Sequence, residues 1–489
     1  MKSIFNLKNT IIFVSFSIIW KIFISATLCL HADEAYYWLW SKYLSLSYYD
    51  HAPMVAYFIK LTTLFSNQEF FVRLSSIIVT IILSFMLWKL VIKLFKNEQI
   101  ASASVMILHS MPILFTASII ITPDTPVFLF LSIATYYVWK LIDNENPNNW
   151  YLIGLFFGLS LLSKYTAILF LLSLFLYIVL LNKFYWFKKY QLYLGLIISF
   201  VCFLPVLVWN WNYHWVSFTY QFGHGLSNEG IRFNYIGEYF ATQMGIFNIF
   251  LFIPTLIISL RYLFSKQKEK VFLAVFSVPI ILFYAATALK KLPGANWPIP
   301  AYFTFSIIAA LFCLEKSTKL KKNILVISIC FNVLLSILVG LHAKYTIVPL
   351  DKFSNELAVA DATNYFHGYK ELTEKLLQEG IDFVITPSHQ LSSIIAYYGK
   401  DKIKIHAYSN SHKKSQFDIW KLWKDSAAPF NIEQAAFVYE SKEGNVPYDI
   451  HILFEEASPD IIEKATIRNN NIARRYFIRK ASKLKKYYI

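Results

Sequence analysis

The chain has 489 residues, of which 56% are hydrophobic and 18% aromatic, and it carries a formal net charge of +16. A mean hydropathy of +0.46 excludes an ordinary soluble globular protein and indicates several membrane-spanning helices. In a soluble protein such a charge would suggest a nucleic acid partner, but most Lys and Arg residues here lie in short segments between apolar runs. The composition therefore predicts a polytopic membrane protein that binds membrane lipids and no nucleic acid.

The first apolar run, about residues 10–30, is long enough to cross a bilayer as a helix. No convincing small-residue cleavage site follows it, so we expect a retained first helix and not a removed signal peptide. Lys21 lies in the middle of this run. We expect it to face the interior of the helix bundle, or to extend its ammonium group towards the interface.

Further apolar segments long enough to span the membrane follow, and they predict about eleven transmembrane helices in total. These segments lie near residues 70–95, 100–121, 125–142, 150–163, 165–182, 190–209, 244–263, 271–289, 297–314 and 322–342. Alternate loops are rich in lysine and arginine, and the positive-inside rule assigns those loops to the cytoplasm. Residues 31–69 and 210–243 are then two large outer loops, rich in Trp and Tyr, in which we expect short interfacial helices.

The hydropathy falls from about residue 345, and the sequence pattern changes. Segments 371–380 and 390–398 are predicted helices, whereas 381–385, 437–439 and 450–454 are predicted short strands. We therefore predict a transmembrane domain over residues 1–344 and a small soluble α/β domain over residues 345–489, outside the membrane. The basic tail from residue 464 has two open interpretations: a segment that binds anionic lipid headgroups, or a solvated helix with a positive face.

Five short motifs place ionisable residues on the predicted outer side: DEAYYW, YYDHAPM, TPD, LSKYT and LPGANWP. An Asp at the centre of a transmembrane helix costs about 2.5–3.5 kcal/mol, so such residues tend to line a polar cavity. The carboxylates of Asp33, Asp50 and Asp124 can deprotonate a nucleophile, bind a divalent cation or carry protons through the membrane. For Asp33 and Asp124 the structural alternative is an N-cap at the start of a helix.

Three lysines on the same predicted side are candidates for binding an anion. Lys164 divides two short apolar runs, and its ammonium group can hold a phosphate; the alternative is a lysine that extends to the interface. Lys290 and Lys291 lie on the outer side against the positive-inside trend, which favours an anion site there. In the second outer loop, His224 could complete a divalent metal site with Asp50 or Asp124.

Taken together, several segments resemble the bacterial branch of the dolichyl-phosphate-mannose protein mannosyltransferase-like family (glycosyltransferase family 39). The segments are DEAYYWLW, YYDHAPMVAYFIK, TPDTPVFLF, LSKYTA, PVLVWNWNYHWVSF and ANWPIPAY, and the match runs from about residue 33 to residue 302. The family has the GT-C membrane fold and is related to the aminoarabinose transferase that acts on lipid A. The motif YYDHAPM departs from the commoner double-proline form at Ala52, which we expect to change loop stiffness and not the chemistry.

The resemblance implies a polyprenyl-phosphate-linked sugar donor and transfer on the periplasmic side of a bacterial inner membrane, with inversion at C1 of the sugar. Asp33 matches the family's catalytic aspartate in the first loop, and Glu34 beside it is a further catalytic candidate. Asp124 matches a third functional aspartate. Lys164 matches the lysine placed against the donor phosphate, and Lys291 or Lys290 would assist it.

The resemblance also implies a possible metal and a substrate cleft. Asp50 lies where the lipid A enzyme has a metal-binding glutamate, and His224 falls near its loop histidine ligand. Whether the protein binds a divalent metal ion is thus left open by the sequence, and no organic cofactor is expected. Four residues beside these motifs are predicted to line the cleft: Tyr49, His51, Asn296 and Trp297.

Three functions stay open from the sequence. An inverting glycosyltransferase leads, with an envelope glycolipid (lipid A or lipopolysaccharide) favoured over protein as the acceptor. An ion-coupled transporter or flippase would place its ionisable residues near the midplane, commonly on broken helices in repeated halves. The chain shows no such internal repeat. A non-catalytic assembly protein is disfavoured because the carboxylates and Lys164 are intact.

Overall fold

A computed structural model describes residues 4–225, 230–408, 414–420, 435–441 and 453–484. In chain order its α-helices are α1 (Leu7–Thr27), α2 (Ala32–Lys42), α3 (Met54–Thr63), α4 (Glu69–Phe95), α5 (Glu98–Ser110), α6 (Pro112–Ile119), α7 (Asp124–Asn144), α8 (Asn149–Leu161), α9 (Leu169–Leu180), α10 (Tyr190–Asn212), α11 (Val216–Gly225), α12 (Asn234–Phe247), α13 (Phe252–Tyr262), α14 (Lys268–Val275), α15 (Val278–Thr287), α16 (Tyr302–Leu314), α17 (Lys319–Tyr345), α18 (Asn355–Ala360), α19 (Tyr369–Gln378) and α20 (His389–Gly399). The strands are β1 (Phe383–Thr386), β2 (Lys404–Ala407), β3 (Ala435–Glu440), β4 (Phe454–Arg468) and β5 (Asn471–Leu484). Short 3₁₀ turns lie at Tyr165–Ile168, Phe184–Lys188, Ile299–Ala301, Leu350–Lys352, Ala362–Phe366 and Gln416–Asp418.

The described helices confirm the predicted fold class, a polytopic helical membrane protein with a small C-terminal α/β part. Six of them are long and apolar enough to cross a membrane, or eight if each of two bent pairs counts as one span. The bent pairs are α5 with α6, at 62°, and α12 with α13, at 103°. Five predicted spans correspond wholly or partly to shorter apolar or bent helices, so the count of eleven stays a prediction.

Two predicted spans, 100–121 and 244–263, are bent in the structure, and the second is bent more sharply. The segment 244–263 is not a single helix, because the chain breaks between α12 and α13. The side-chain oxygen of Asn248 accepts hydrogen bonds from the N–H groups of Phe250 and Leu251, at 3.0 and 3.1 Å, and its amide donates to the Ser328 carbonyl at 3.0 Å. Asn248 therefore satisfies the first N–H groups of a new helix, which is why the direction can change there.

The chain divides into two compact units. The transmembrane unit comprises residues 1–25, 45–62 and 73–338, and the C-terminal unit comprises residues 26–44, 63–72 and 339–489. The first outer loop thus contributes to both units. It contains α2 and α3, in agreement with the expected short helices. The predicted domain boundary near residue 345 stays a prediction.

Close packing of α8 against α10 positions the chain segment that follows α8. A Cβ atom on Gly154 would lie 2.1 Å from the carbonyl oxygen of Gly195, so only glycine fits at this crossing. The hydroxyl of Ser199 donates to the carbonyls of Gly154 and Gly195, at 2.8 and 3.0 Å. Small residues and a hydroxyl therefore hold α8 at a fixed distance from α10, and α8 leads directly to the LSKYT motif.

The C-terminal unit contains a five-stranded sheet in the order β2-β1-β3-β5-β4. Strands β2, β1 and β3 are parallel, and β5 runs antiparallel to both β3 and β4. The predicted strands at 381–385 and 437–439 and the predicted helices at 371–380 and 390–398 are confirmed with small shifts. Of the predicted strand 450–454, residues 450–452 lie outside the described part of the chain, and β4 begins at Phe454.

The basic tail is not a helix over its described residues, because β4 and β5 form an antiparallel hairpin there. Tyr476, Phe477 and Ile478 of β5 are all buried, and β5 pairs with a strand on each side. Part of the positive charge is neutralised inside the unit. The side chain of Arg475 pairs with Glu463 at 3.0 Å, and Lys480 pairs with Glu379 at 2.8 Å.

Candidate active site

The TPD and LSKYT motifs meet in a buried ion pair. The Nζ atom of Lys164 donates to Oδ1 of Asp124 at 2.7 Å, and their side chains are only 10% and 5% exposed. Asp124 is the first residue of α7, behind Pro123, while Lys164 has an extended backbone between α8 and a 3₁₀ turn. Each residue therefore sits where a regular element begins or ends, so its side chain can turn away from the helix surface.

The LPGANWP motif completes the surroundings of this pair. The side-chain amide of Asn296 donates to Oδ2 of Asp124 at 2.5 Å, and the hydroxyl of Thr122 lies 3.4 Å from the same oxygen. The ammonium group of Lys164 lies 5.8 Å from the ring centroid of Trp297, within the range of a cation–π contact. Three motifs that lie up to 172 residues apart in the chain thus form one cluster, which we call the Lys164 cluster (Thr122, Asp124, Lys164, Asn296 and Trp297).

The geometry of the Lys164 cluster favours a positioning role for Asp124. Both of its carboxylate oxygens accept hydrogen bonds, from a cation and from an amide, and are thereby engaged in holding other side chains. The N-cap of α7 is Pro123, and Asp124 is the first helical residue, so the N-cap alternative for Asp124 is wrong. An ammonium group has three donors, of which Asp124 accepts one. Lys164 is thereby held in a fixed orientation and keeps the capacity to bind an anion.

Hydrogen bonds connect the YYDHAPM motif and the residue before it to the chain segments on either side of Lys164. The backbone N–H of Met54 donates to the carbonyl of Leu162 at 3.2 Å. The hydroxyl of Tyr165 lies 2.7 Å from Ser217 Oγ and 3.4 Å from Ser47 Oγ, so it links α11 to the start of the motif. Leu162 and Tyr165, which flank Lys164 in the chain, therefore connect the YYDHAPM motif to the Lys164 cluster.

Gln221 of α11 holds the centre of the same motif. Its side-chain amide donates to the backbone carbonyl of Asp50, and it lies 3.4 Å from Nδ1 of His51. The ring of Tyr49 packs against that of Tyr220, with centroids 5.1 Å apart. The predicted cleft residues Tyr49 and His51 thus belong to one surface with α11.

A metal site at Asp50 and His224 stays a prediction. Asp50 is 8% exposed. His224 lies in α11, but its side chain is outside what the structure describes. Within the described part of the chain, no group of three or more His, Cys, Asp and Glu side chains could hold a metal ion. Asp124, the other proposed partner, already uses both oxygens for Lys164 and Asn296.

Lys290 and Lys291 lie in an exposed turn after α15, where both backbone N–H groups donate to the carbonyl of Thr287 at 3.1 Å. The turn is held from the other side by the N–H of Arg232, which donates to the Leu289 carbonyl at 2.7 Å. These two lysines belong to the same loop as Asn296. Their role towards an anion stays a prediction.

The DEAYYW motif lies in the C-terminal unit, where its two carboxylates have different surroundings. Glu34 is fully buried, and its Oε2 accepts the backbone N–H of His31 at 2.9 Å, in a capping box at the start of α2. Asp33 has a side chain that is 40% exposed, and its Oδ1 accepts from the Gln390 amide at 3.3 Å. The N-cap is His31, so the N-cap alternative for Asp33 is wrong.

Three polar residues of the site had no role predicted from the sequence: Thr122, which belongs to the TPD motif, Gln221 and Gln390. Each places a short polar side chain on a predicted site residue, yet a single Gln or Thr carries no pattern that marks it as functional. Gln390 lies 357 residues from Asp33 along the chain. Thr122 had the clearest signal, because it stands directly before the proline that precedes α7.

Comparisons with known proteins agree with the motifs that form this site. The family model for dolichyl-phosphate-mannose-protein mannosyltransferase matches residues 50–209, which begin within the YYDHAPM motif and include the TPD and LSKYT motifs. The chain is 25% identical over 381 residues to the lipid A galacturonosyltransferase RgtD of Rhizobium johnstonii (strain DSM 114642 / LMG 32736 / 3841), which covers 76% of this chain and 77% of that relative.

Two crystal structures of ArnT from Cupriavidus metallidurans have the same fold. The apo structure has a TM-score of 0.66 at 12% identity, and the structure bound to undecaprenyl phosphate has a TM-score of 0.66 at 11% identity. Each covers 96% of this chain and 97% of the ArnT chain. At this level of identity the likeness concerns the fold.

Proposed function

We propose that the chain is a glycosyltransferase that takes a sugar from a polyprenyl-phosphate carrier and transfers it to lipid A or lipopolysaccharide. The family-model match over residues 50–209, the likeness to a lipid A galacturonosyltransferase and the ArnT-like fold support this proposal. Transfer takes place on the periplasmic side of a bacterial inner membrane. The observation that carries the proposal is the buried Lys164–Asp124 pair, inside the segment that matches the family model. The relation to a lipid A galacturonosyltransferase supports the choice of acceptor.

The proposed reaction is a displacement at C1 of the sugar. An acceptor oxygen attacks from the face opposite the lipid phosphate, the new C1–O bond forms, and the C1–O bond to phosphate breaks. The polyprenyl phosphate leaves with the bonding electrons, and the configuration at C1 is inverted. The barrier falls if positive charge is already in place where the phosphate becomes more negative.

Lys164 supplies that charge in our proposal. Asp124 and Asn296 fix the ammonium group in advance, so little reorganisation is needed when the donor binds. Asp124 also balances the charge of Lys164 before the phosphate arrives, which makes an empty buried site tolerable. Trp297 covers one side of the ammonium group and excludes water there.

Asp33 is proposed to act on the acceptor. Its half-exposed carboxylate can orient an acceptor hydroxyl and take its proton. If the acceptor is a phosphate group on lipid A, the oxygen is already ionised, and Asp33 then only orients it. A divalent ion at Asp50 and His224 would add positive charge for the leaving phosphate. The proposed mechanism does not depend on this ion, because Lys164 already provides positive charge for the leaving phosphate.

The test is mass spectrometry of lipid A and lipopolysaccharide from cells with and without the gene. We expect the deletion to remove one sugar-sized mass, and a plasmid copy of the wild-type gene to restore it. An unchanged lipid A with accumulated polyprenyl-phosphate sugar would exclude this acceptor and favour protein or another glycan. If neither lipid A nor the amount of polyprenyl-phosphate sugar changes, the result favours the transporter alternative.

Complementation by two neighbouring variants separates the roles of the DEAYYW carboxylates. Asp33→Asn should abolish transfer while the protein still inserts, because Asp33 is half-exposed and its loss leaves no cavity. Glu34→Gln is the matched control, since glutamine also fits a capping box and should keep near wild-type transfer. Loss of transfer in Glu34→Gln at normal protein level would instead make Glu34 catalytic.

A further inference from the structure

A second buried lysine lies in the transmembrane unit, on α1. Lys21 is 1% exposed, although Phe16 on the same helix is 53% exposed. The Nζ atom of Lys21 has no hydrogen-bond partner among the residues that the structure describes. A lone ammonium group among apolar side chains is strongly unfavourable in a membrane, and partners for such groups are the rule. Lys21 is therefore expected to meet an anion.

Lys21 lines a pocket between α1, the bend from α5 to α6, and α17. Two further donors line the same pocket: Nε1 of Trp20 and Oγ of Ser336. Both atoms are buried, and within the described residues neither has a hydrogen-bond partner. Three polar groups that can donate hydrogen bonds thus face one pocket, and none of the residues that line it is acidic.

The other polar residues that line the pocket are Ser17, His109 and Ser110. The hydroxyl of Ser110 donates to the Ile107 carbonyl at 2.9 Å, and His109 does not satisfy Lys21. Its Nε2 contacts the hydroxyl of Ser84, which itself donates to the Thr80 carbonyl at 2.8 Å. Nε2 is therefore assigned as the protonated nitrogen of His109. The acceptor nitrogen, Nδ1, lies 3.3 Å from the hydroxyl of Ser17 and can accept from it. The acceptor capacity of His109 is thus already used.

We propose that this pocket binds the phosphate group of an anionic membrane lipid. Lys21 supplies the counter-charge, and Trp20 and Ser336 donate hydrogen bonds to the phosphate oxygens. A phosphate matches the site because it carries negative charge on several acceptor oxygens. The pocket shares no residue with the Lys164 cluster, so it is a separate site from the one proposed for the sugar donor.

The position of the pocket identifies the bilayer as the source of the ligand. Lys21 lies six residues before the end of α1 at Thr27, which is about 9 Å along the helix axis. The apolar rim includes Phe16, whose exposed ring belongs to a predicted membrane-spanning helix. A lipid can place its acyl chains along this rim, whereas a free ion would have to leave water for an apolar surface.

Native mass spectrometry of the delipidated full-length protein tests this, with dioleoyl phosphatidic acid as the probe. Dioleoyl phosphatidylcholine, a zwitterionic lipid without net charge, is the control. We expect the wild type to bind phosphatidic acid in preference to phosphatidylcholine. Lys21→Met should weaken this binding at least tenfold. Lys8→Met is the matched control, because Lys8 is an exposed lysine at the start of the same helix, and its binding should equal that of the wild type.

Two further variants keep the result specific to this pocket. Lys164→Met should retain the binding that Lys21→Met loses, which separates the two phosphate sites. Trp20→Phe keeps an aromatic ring but removes one N–H donor, so we expect binding about tenfold weaker. Unchanged binding in Lys21→Met overturns the proposal, as does equal binding of phosphatidylcholine. Full displacement of the lipid by inorganic phosphate would overturn the lipid as the ligand.

Discussion

Among the described residues of the transmembrane unit two lysines are buried, and they differ in what surrounds their ammonium groups. Lys164 has a carboxylate at 2.7 Å, and that carboxylate is fixed by Asn296. Lys21 has only further donors beside it, Trp20 and Ser336, within the described residues. The first arrangement is balanced before any ligand binds, as a preorganised catalytic site requires. The second is incomplete without a ligand.

Lys164 and Lys21 represent two ways in which a membrane protein can bury a positive charge. An internal ion pair lets the protein hold a cation ready for a transient ligand, because the charge is still balanced when the ligand leaves. An unpaired cation suits a ligand that stays bound, because loss of the ligand would leave a buried positive charge without a counter-charge. Substitutions at the two lysines should therefore have opposite effects on stability.

The largest expected effect is loss of transfer on substitution of Lys164. Lys164→Met keeps the length of the side chain and removes the cation that we propose for the leaving phosphate. By analogy with the loss of one transition-state donor, we expect turnover to fall about 10²–10³-fold. The assay uses purified enzyme with a polyprenyl-phosphate sugar and lipid A. The control is Lys322→Met, an exposed lysine on α17, and equal activity of the two variants would contradict the proposal.

The second effect concerns stability. Asp124→Asn leaves the ammonium group of Lys164 buried without its counter-charge, which should lower the free energy of unfolding by about 3–5 kcal/mol. Asp143→Asn at the other end of α7 is the matched control. Its ion pair with Lys93 is exposed, at 3.8 Å, and should contribute about 1 kcal/mol or less. Thermal unfolding in detergent compares them, and similar losses in both variants would show that Lys164 is not dependent on Asp124.

The sequence predicted the ion pair's members but not their pairing. TPD and LSKYT were identified because ionisable residues stand out at the ends of apolar runs, and the same contrast located the membrane spans. Pairing depends on how α7 and α8 pack, and no local pattern encodes that. Asn248, which divides a predicted span, and Gln390, which contacts Asp33, were missed because uncharged polar residues barely change the hydropathy.

The helix considered for the basic tail is wrong for a related reason. Its lysines and arginines dominate the composition, whereas its secondary structure follows the buried residues Tyr476 and Ile478. Phe477 between them is also buried, so the three form a short apolar run that the surrounding charge easily masks. The pairing partner β3 lies about 40 residues earlier in the chain. Such non-local pairing has no local sequence signal.

A smaller effect is expected at Asn296. Asn296→Ala removes the hydrogen bond to Oδ2 of Asp124 at 2.5 Å, and bonds to charged groups contribute about 1.5–3 kcal/mol. The ion pair with Lys164 remains, so we expect turnover to fall about tenfold, less than in Lys164→Met. Asn234→Ala is the control, since its exposed bond to Glu238 touches no site residue. A loss in Asn296→Ala as large as in Lys164→Met would assign Asn296 a direct contact with the substrate.

The smallest effect, and the one with opposite sign, is expected at Lys21. In delipidated protein Lys21→Met replaces an unpaired buried cation by an apolar side chain of similar length, so it should raise the free energy of unfolding by about 1 kcal/mol or more. Added phosphatidic acid should stabilise the wild type but not the variant, because only the wild type binds it. The difference in unfolding temperature should therefore shrink as lipid is added. If Lys21→Met is destabilised with and without lipid, then Lys21 has a partner of its own and the contrast with Lys164 disappears.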